Sequence, residues 1–360
     1  MNSERRTGNY RDFTNRVLVV VGIAASVAVL AFLLWYVVSG LLLIFASILL
    51  AIFLRSLSDR VSAHTPLSEG GSLAVVILFL VGLLGLAVWL FAPRVAAQAD
   101  QLIQRLPRAV ERLEKLVERY TWVEQVLTQT PKAAEWISGR PHVLAKATGA
   151  VSVTLNALVD VVIVLLVGFY LAANPDLYVN GLVRLLPSEK RGRAREILNV
   201  IEHTLQRWLL GRFLLMTMNG GLTALGLWLL GVPLALTLGL LSGLLNFIPN
   251  LGPILAAIPA VLIALVESPT LALYVGLFYL IYQTVDGYLL TPLVQEHTIS
   301  MPPALIISAQ VSMGALLGGP GIALATPLTA ALFVLVEMVY IEEILGEPVE
   351  VPGGYRKGKS

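Results

Sequence analysis

Long apolar runs parted by short polar stretches set the layout of this chain. A helix needs about 20 apolar residues to cross a bilayer. The run from Val17 to Leu54 contains no charged residue and is too long for one crossing. A break near Ser39-Gly40 would divide it into two helices, the second reaching a little past Arg55. Ser72 to Ala92 predicts a third pass. Between 93 and 147 charges return, and Leu106, Val110, Leu113, Val117, Tyr120, Val123 and Leu127 recur at steps of three and four, the period of an amphipathic helix. A fourth pass follows from about Thr148 to Ala173 and stops at Asn174-Pro175, and a basic stretch, Asp176 to Arg207, precedes a fifth from Trp208 to Leu230.

Beyond Gly231-Val232-Pro233 the runs become too short for plain crossings. Leu234 to Phe247 and Ile254 to Val266 flank Ile248-Pro249-Asn250-Leu251-Gly252-Pro253. At 1.5 Å per residue, neither run spans a hydrocarbon core of about 30 Å. Two prolines without N–H groups and a glycine should break the helix there. The device returns where Ala304 to Leu317 and Ile322 to Val336 flank Gly318-Gly319-Pro320-Gly321. Gly252-Pro253 with Pro259 echoes Gly319-Pro320 with Pro327, a weak internal repeat. Irregular backbone at membrane depth survives only against protein or a water-filled cavity, and paired breaks of this kind point to a transporter's binding site. Asn246, Pro249, Asn250, Gly252, Pro253 and Gly318 to Gly321 are therefore candidates for a solute path.

Composition supports lipid as the solvent. Of the 360 residues 57% are hydrophobic and 13% charged, with mean hydropathy +0.80, whereas soluble domains carry about 25% charge. The expectation is an all-α polytopic membrane protein of about eight hydrophobic passes, its C-terminal half carrying broken or re-entrant helices. Its parts are a three-pass segment over 1–92, an extracytoplasmic amphipathic segment over 93–147, the fourth pass over 148–173, a cytoplasmic basic segment over 174–208, a membrane core over 209–345 and a cytoplasmic tail over 346–360. Arg5, Arg6, Arg11 and Arg16 imitate a secretory leader, but the following run is long for one and is expected to be retained as the first helix. The basic N-terminal arm, the loop after Arg55, the stretch Asp176 to Arg207 and the tail fall on one side if the passes alternate, which places both termini in the cytoplasm. The basic residues within 93–147 run against that rule, although long segments obey it less well.

A net charge of +2 and the lack of any basic tract with interleaved aromatics give no reason to expect nucleic acid. There is no cysteine, and the four histidines are scattered, so no metal site is expected. No nucleophile elbow, phosphate loop or dinucleotide fingerprint is present, so neither an enzyme nor a cofactor is expected, and uphill transport would have to draw on an ion gradient.

Between Phe213 and Tyr355 there is no Lys or Arg, yet Asp286 sits in the run Leu271 to Leu293 beside Gln283. A carboxylate at that depth must be protonated, wet, paired with a distant base such as Arg212, or holding a cation. The bland alternative is a position near the headgroups, since Pro292 and Glu296 soon follow. Asp160 and Asn156 lie four apart in the fourth pass and share a face, as a polar path or as glue between helices. Arg207 and Arg212 flank Trp208, where snorkelling alone would account for them.

Several of these residues resemble the autoinducer-2 exporter family of bacterial permeases. The resemblance rests on Gly231-Val232-Pro233, on Asn246 to Pro253 with Ile258-Pro259-Ala260, on Asp286-Gly287-Tyr288-Leu289-Leu290-Thr291-Pro292-Leu293, on Pro302-Pro303, and on Gly318 to Gly321 with Pro327. Gln98, Pro107 and Leu186-Pro187 extend it over nearly the whole chain. It implies an eight-pass inner-membrane protein that self-associates into a homo-oligomer, exporting the quorum-sensing signal autoinducer-2 or exchanging sodium for protons. Asn250, Gly287 and Ala173-Asn174-Pro175 depart from the family's usual letters, so the exact solute does not carry over.

Overall fold

The computed structural model describes residues 37–89, 93, 98, 101, 159–295 and 301–346. Expectations for the N-terminal arm, the first pass, most of 93–147, Asn156 and the tail lie outside the described residues. Within them the chain is helical, and no strand occurs among the described residues.

Helix α1 runs Val37–His64 and α2 Glu69–Trp89, both long and apolar enough to cross a membrane. Ser39 and Gly40 are helical in the first described turn of α1, and the residues before Val37, where the expected break could also fall, lie outside the described residues. Arg55 ties the two helices together, pairing with Glu69 across the turn and with Asp59 at 3.1 Å on its own helix.

Helix α3, Val159–Ala173, ends as expected at Asn174-Pro175, and α4, Pro175–Arg184, leaves at 85° to it. Pro175 sits at the first position of α4, where its missing N–H costs nothing.

Helix α5, Arg191–Leu229, is 39 residues long, about 58 Å. It crosses the expected boundary near 208 without a break, so the part of the basic stretch from Arg191 onward is a helical extension of the apolar segment that follows it. Thr204, Trp208, Arg212, Leu215, Asn219, Thr223 and Leu227 are all buried and follow one another at steps of three or four, forming the inward face of α5. Arg193, near its start, donates to Glu342 at 2.7 Å and to Met338 O at 3.0 Å, fastening the basic end of α5 to the end of the last helix.

The membrane core contains two helical hairpins. Helix α6, Ala235–Leu245, and α7, Leu251–Glu267, are the two arms of the first break. Asn250 has φ 64° and ψ −48°, an uncommon conformation for a residue with a side chain. Ser268 then caps α8, Pro269–Val285, which continues through a π-helical turn, Asp286–Leu290, into α9, Thr291–Gln295. The last helix, α10, Pro303–Val336, passes into a π-helical end, Glu337–Ile344. Its length suggests one crossing, but Gly318 has φ 64° and ψ −144°, outside helical geometry. Gln310 reaches Thr326, and Gly314 faces Ile322, contacts that are symmetric about Gly318 and require the chain to double back. The second break is thus a hairpin tip.

An apolar cavity of about 270 Å³ sits at the α3–α4 elbow, walled by Phe45, Ile52, Leu171, Pro175 and Leu205, with Glu202 on its edge. Glu202 is half-buried on the basic stretch of α5, and burial pushes its carboxyl above the usual range. The protonated form suits the folded state better, so the stability tied to this group is present at acid pH and is lost as pH rises through the raised value. Glu202→Gln should therefore raise Tm in detergent at pH 8 and leave it unchanged at pH 4. An equal shift at both pH values would assign the effect to packing.

Candidate functional site

The buried face of α5, the α6–α7 break, the end of α8 and the base of the second hairpin enclose a cavity of about 530 Å³. Its polar wall includes Thr204, Arg212, Asn246, Asn250, Gln283, Asp286, Thr291 and Thr326. Trp208, Pro249, Pro253, Pro292, Met301, Pro303, Ile306 and Ala330 supply the apolar part. A volume of this order holds a small solute.

Arg212 is 4% exposed and cannot be a snorkelling interface residue. Its Nε donates to Phe247 O at 3.1 Å and its Nη2 to Asn246 Oδ1 at 3.2 Å. Asn246 in turn donates to Leu215 O at 3.4 Å. The guanidinium therefore bridges the Phe247 carbonyl and the Asn246 side chain at the helix break and is itself held by both. A lysine could not reproduce that fork.

Asp286 is 7% exposed, buried against the surrounding helices. It is the first residue of the π-helical turn, and such turns redirect side chains and concentrate at functional sites. Its Oδ1 is buried without a hydrogen-bond partner. Arg212 and Asp286 line one cavity and interact electrostatically, but no nitrogen of one lies within 4.0 Å of an oxygen of the other. A guanidinium and a carboxyl group thus face a shared space without closing on each other.

Gln310 is fully buried and fixes the second hairpin to the first break. Its Nε2 donates to Pro249 O at 3.0 Å and approaches Thr326 Oγ1 at 3.4 Å. Deeper in the bundle, Asn219 Oδ1 accepts from Ser242 at 2.7 Å and from Thr223 at 3.4 Å, joining α5 to α6. The Tyr282 hydroxyl faces Asn219 and the Tyr279 hydroxyl faces Ser242, neither in hydrogen-bonding geometry. Thr237, at the far end of α6, donates to Gln98 Oε1 at 2.6 Å.

The residues singled out from sequence divide into two groups. Arg212, Asn246, Pro249, Asn250, Pro253, Gln283 and Asp286 converge on the cavity. Gly252 lies behind the wall, where it lets α7 close on Leu245 O. Gly318, Gly319 and Pro320 are exposed at the second hairpin's tip, and none of them lines the cavity. Gly321 packs against Met313 O within that hairpin. The second break therefore shapes the site through the feet of its arms, Met301, Pro303, Thr326 and Ala330, because a hairpin's tip and its feet lie at opposite ends. Asp160 is exposed at the start of the described part of α3 and does not line the cavity either. Reasoning from sequence passed over Gln310, Thr204, Thr291 and Thr326; lone polar residues in apolar helices were the available signal.

The comparisons with known proteins agree with this architecture. A family pattern described as AI-2E family transporter matches residues 23–341. "Putative transport protein YueF" of Bacillus subtilis (strain 168) is 26% identical over 277 residues, 72% of this chain and 73% of its own. "Putative transport protein YrrI" of the same organism is 27% identical over 280 residues, 73% of this chain and 76% of its own. "Putative permease PerM" of Escherichia coli (strain K12) is 29% identical over 306 residues, 81% of this chain and 85% of its own. With apolar spans, helical hairpins and a family match over most of its length, this multi-pass membrane protein belongs to the AI-2E family of transporters.

Proposed function

We propose that the protein is a secondary transporter of the inner membrane that exports a small hydrophilic solute through the Arg212–Asp286 cavity, coupled to an ion gradient. The observation that carries this reading is the pair of nearly buried opposite charges facing one space of solute size. Holding unpaired charges away from water is costly, and ionisable groups inside membrane segments serve pathways far more often than packing. Asp286 alternates between a protonated state and a cation-bound state as access switches sides. Arg212 holds the α6–α7 break in register and marks the solute site. The two hairpins rock against α5 to change access, with the termini in the cytoplasm, the basic start of α5 facing the same side, and copies of the chain assembled as a homo-oligomer. No covalent chemistry is involved. A small polar solute fits the mixed polar and apolar wall.

The second reading is sodium/proton exchange, favoured by the same carboxylate, for which a bare cation would be the cargo. The two are separated in proteoliposomes holding the purified chain. Internal pH and solute efflux are followed after a sodium or proton gradient is imposed, with Asp286→Asn alongside. Solute efflux driven by the gradient, and cut at least about tenfold in the variant, is the expected result. Gradient-dependent proton movement with no solute requirement would move the assignment to exchange. Unchanged flux and pH dependence in Asp286→Asn would remove that residue from the mechanism, and non-saturable flux would indicate a passive channel.

A further inference from the structure

We infer that the cavity recognises a zwitterion, its carboxylate set against Arg212 and its ammonium or quaternary ammonium against Asp286. The inference rests on the cavity being the solute's site, and it names the solute's charge pattern.

Arg212 already has two donors committed, to Phe247 O and Asn246 Oδ1, so its fork is fixed and cannot swing over to Asp286. Asp286 is fixed by the π-helical turn, and no hydrogen bond is made to its Oδ1. The two groups share the cavity at more than ion-pair distance. Each therefore lacks a direct counter-charge, and the space between them is where one would be supplied.

The other charge patterns fit less well. An anion would neutralise Arg212 and bring a second negative charge towards Asp286. A simple cation would do the reverse at Arg212. A neutral polyol would leave Arg212 uncompensated and would give Asp286 no partner but a proton. A solute with opposite charges a few bonds apart neutralises both at once and orients itself by doing so. Gln283, Thr204, Thr291 and Thr326 on the same wall are available for its remaining polar atoms. This pattern also supplies a coupling step without further groups. The solute's cationic end occupies Asp286 on the loading side, and a proton takes its place there after release.

The test is binding by the full-length protein in nanodiscs, followed by calorimetry and by thermal shift. The zwitterionic probes are glycine, β-alanine, γ-aminobutyrate and glycine betaine, which step through charge separation and ammonium substitution. Propionate, ethylammonium and glycerol serve as the anionic, cationic and neutral controls. At least one zwitterion should bind about tenfold or more tighter than any control. Asp286→Asn should turn the preference towards propionate, and Arg212→Gln towards ethylammonium; such a switch also shows that the variants are folded. Propionate, ethylammonium or glycerol binding as tightly as every zwitterion would overturn the inference, as would zwitterion affinity unaltered in Asp286→Asn or no binding by any probe. Zwitterion binding without flux would count against the transport reading alone, whereas flux of a non-zwitterion without zwitterion binding would count against this inference alone.

Discussion

Gly252→Ala is expected to leave little folded protein in the membrane. A Cβ at this position would fall inside the contact distance of Leu245 O, which belongs to the backbone of the facing arm. A flexible side chain could move aside, but a carbonyl in the last turn of α6 cannot without unwinding that turn. The hairpin would have to open, and its opening would carry Asn246, Phe247 and Pro249 away from Arg212 and Gln310, which hold them. Overpacking against backbone with those bonds lost should cost about 3 kcal/mol or more. Gly276→Ala is the control, because a Cβ there meets nothing within 4 Å in the middle of α8. That change should be neutral or slightly stabilising. Thermal unfolding followed by size-exclusion recovery after solubilisation would separate them. A Tm for Gly252→Ala within about two degrees of wild type would mean that the α6–α7 contact is looser than its geometry implies.

The same close approach explains part of what the sequence could reveal. Gly and Pro at the two breaks announced where the helices stop, because those residues act through local backbone geometry that needs no partner; that each break folds back as a hairpin depends on contacts between its arms. The elbow at Asn174-Pro175 was legible for the same reason. The match of letters between the breaks was misleading in register, however. Gly252-Pro253 resembles Gly319-Pro320, but the glycine that closes on the opposite arm in the second hairpin is Gly321. Close packing follows the spacing to the facing carbonyl, and letter order does not encode it.

Arg212 was harder to place. It lies five residues after Arg207 and four after Trp208, so proximity in sequence suggested a membrane interface. The helical period held a better signal: Thr204, Trp208, Arg212, Leu215, Asn219 and Thr223 share one face, and a face that mixes Trp, Arg, Asn and Thr turns inward when the surroundings are lipid. That Asp286 shares a cavity with it could not be deduced, because their meeting depends on how α5 and α8 pack around the α6–α7 break. Gln310 was invisible for the same reason; its partner is the carbonyl of a proline 61 positions away in sequence.

Arg212→Gln is expected to abolish transport, and Arg212→Lys to restore only a small part of it. Two roles are combined in this one side chain. Its Nε and Nη2 bind Phe247 O and Asn246 Oδ1, and its charge faces the cavity opposite Asp286. Glutamine removes the charge and can satisfy one of the two acceptors at most, so the other, Phe247 O or Asn246 Oδ1, loses its donor at a cost of about 1–3 kcal/mol. Lysine keeps the charge, but it is a point donor on a flexible stem and cannot bridge both acceptors in one plane. If charge alone matters, lysine should recover most of the flux; if the fork matters, flux should stay at least about tenfold below wild type in both variants. A split between affinity and turnover then assigns the roles. Lysine should leave solute affinity within a few-fold of wild type while turnover falls, because the misplaced break slows the change of access. Glutamine should lose both. Equal loss of both parameters in the two variants, with Tm also lowered equally, would show that Arg212 serves only to hold the fold.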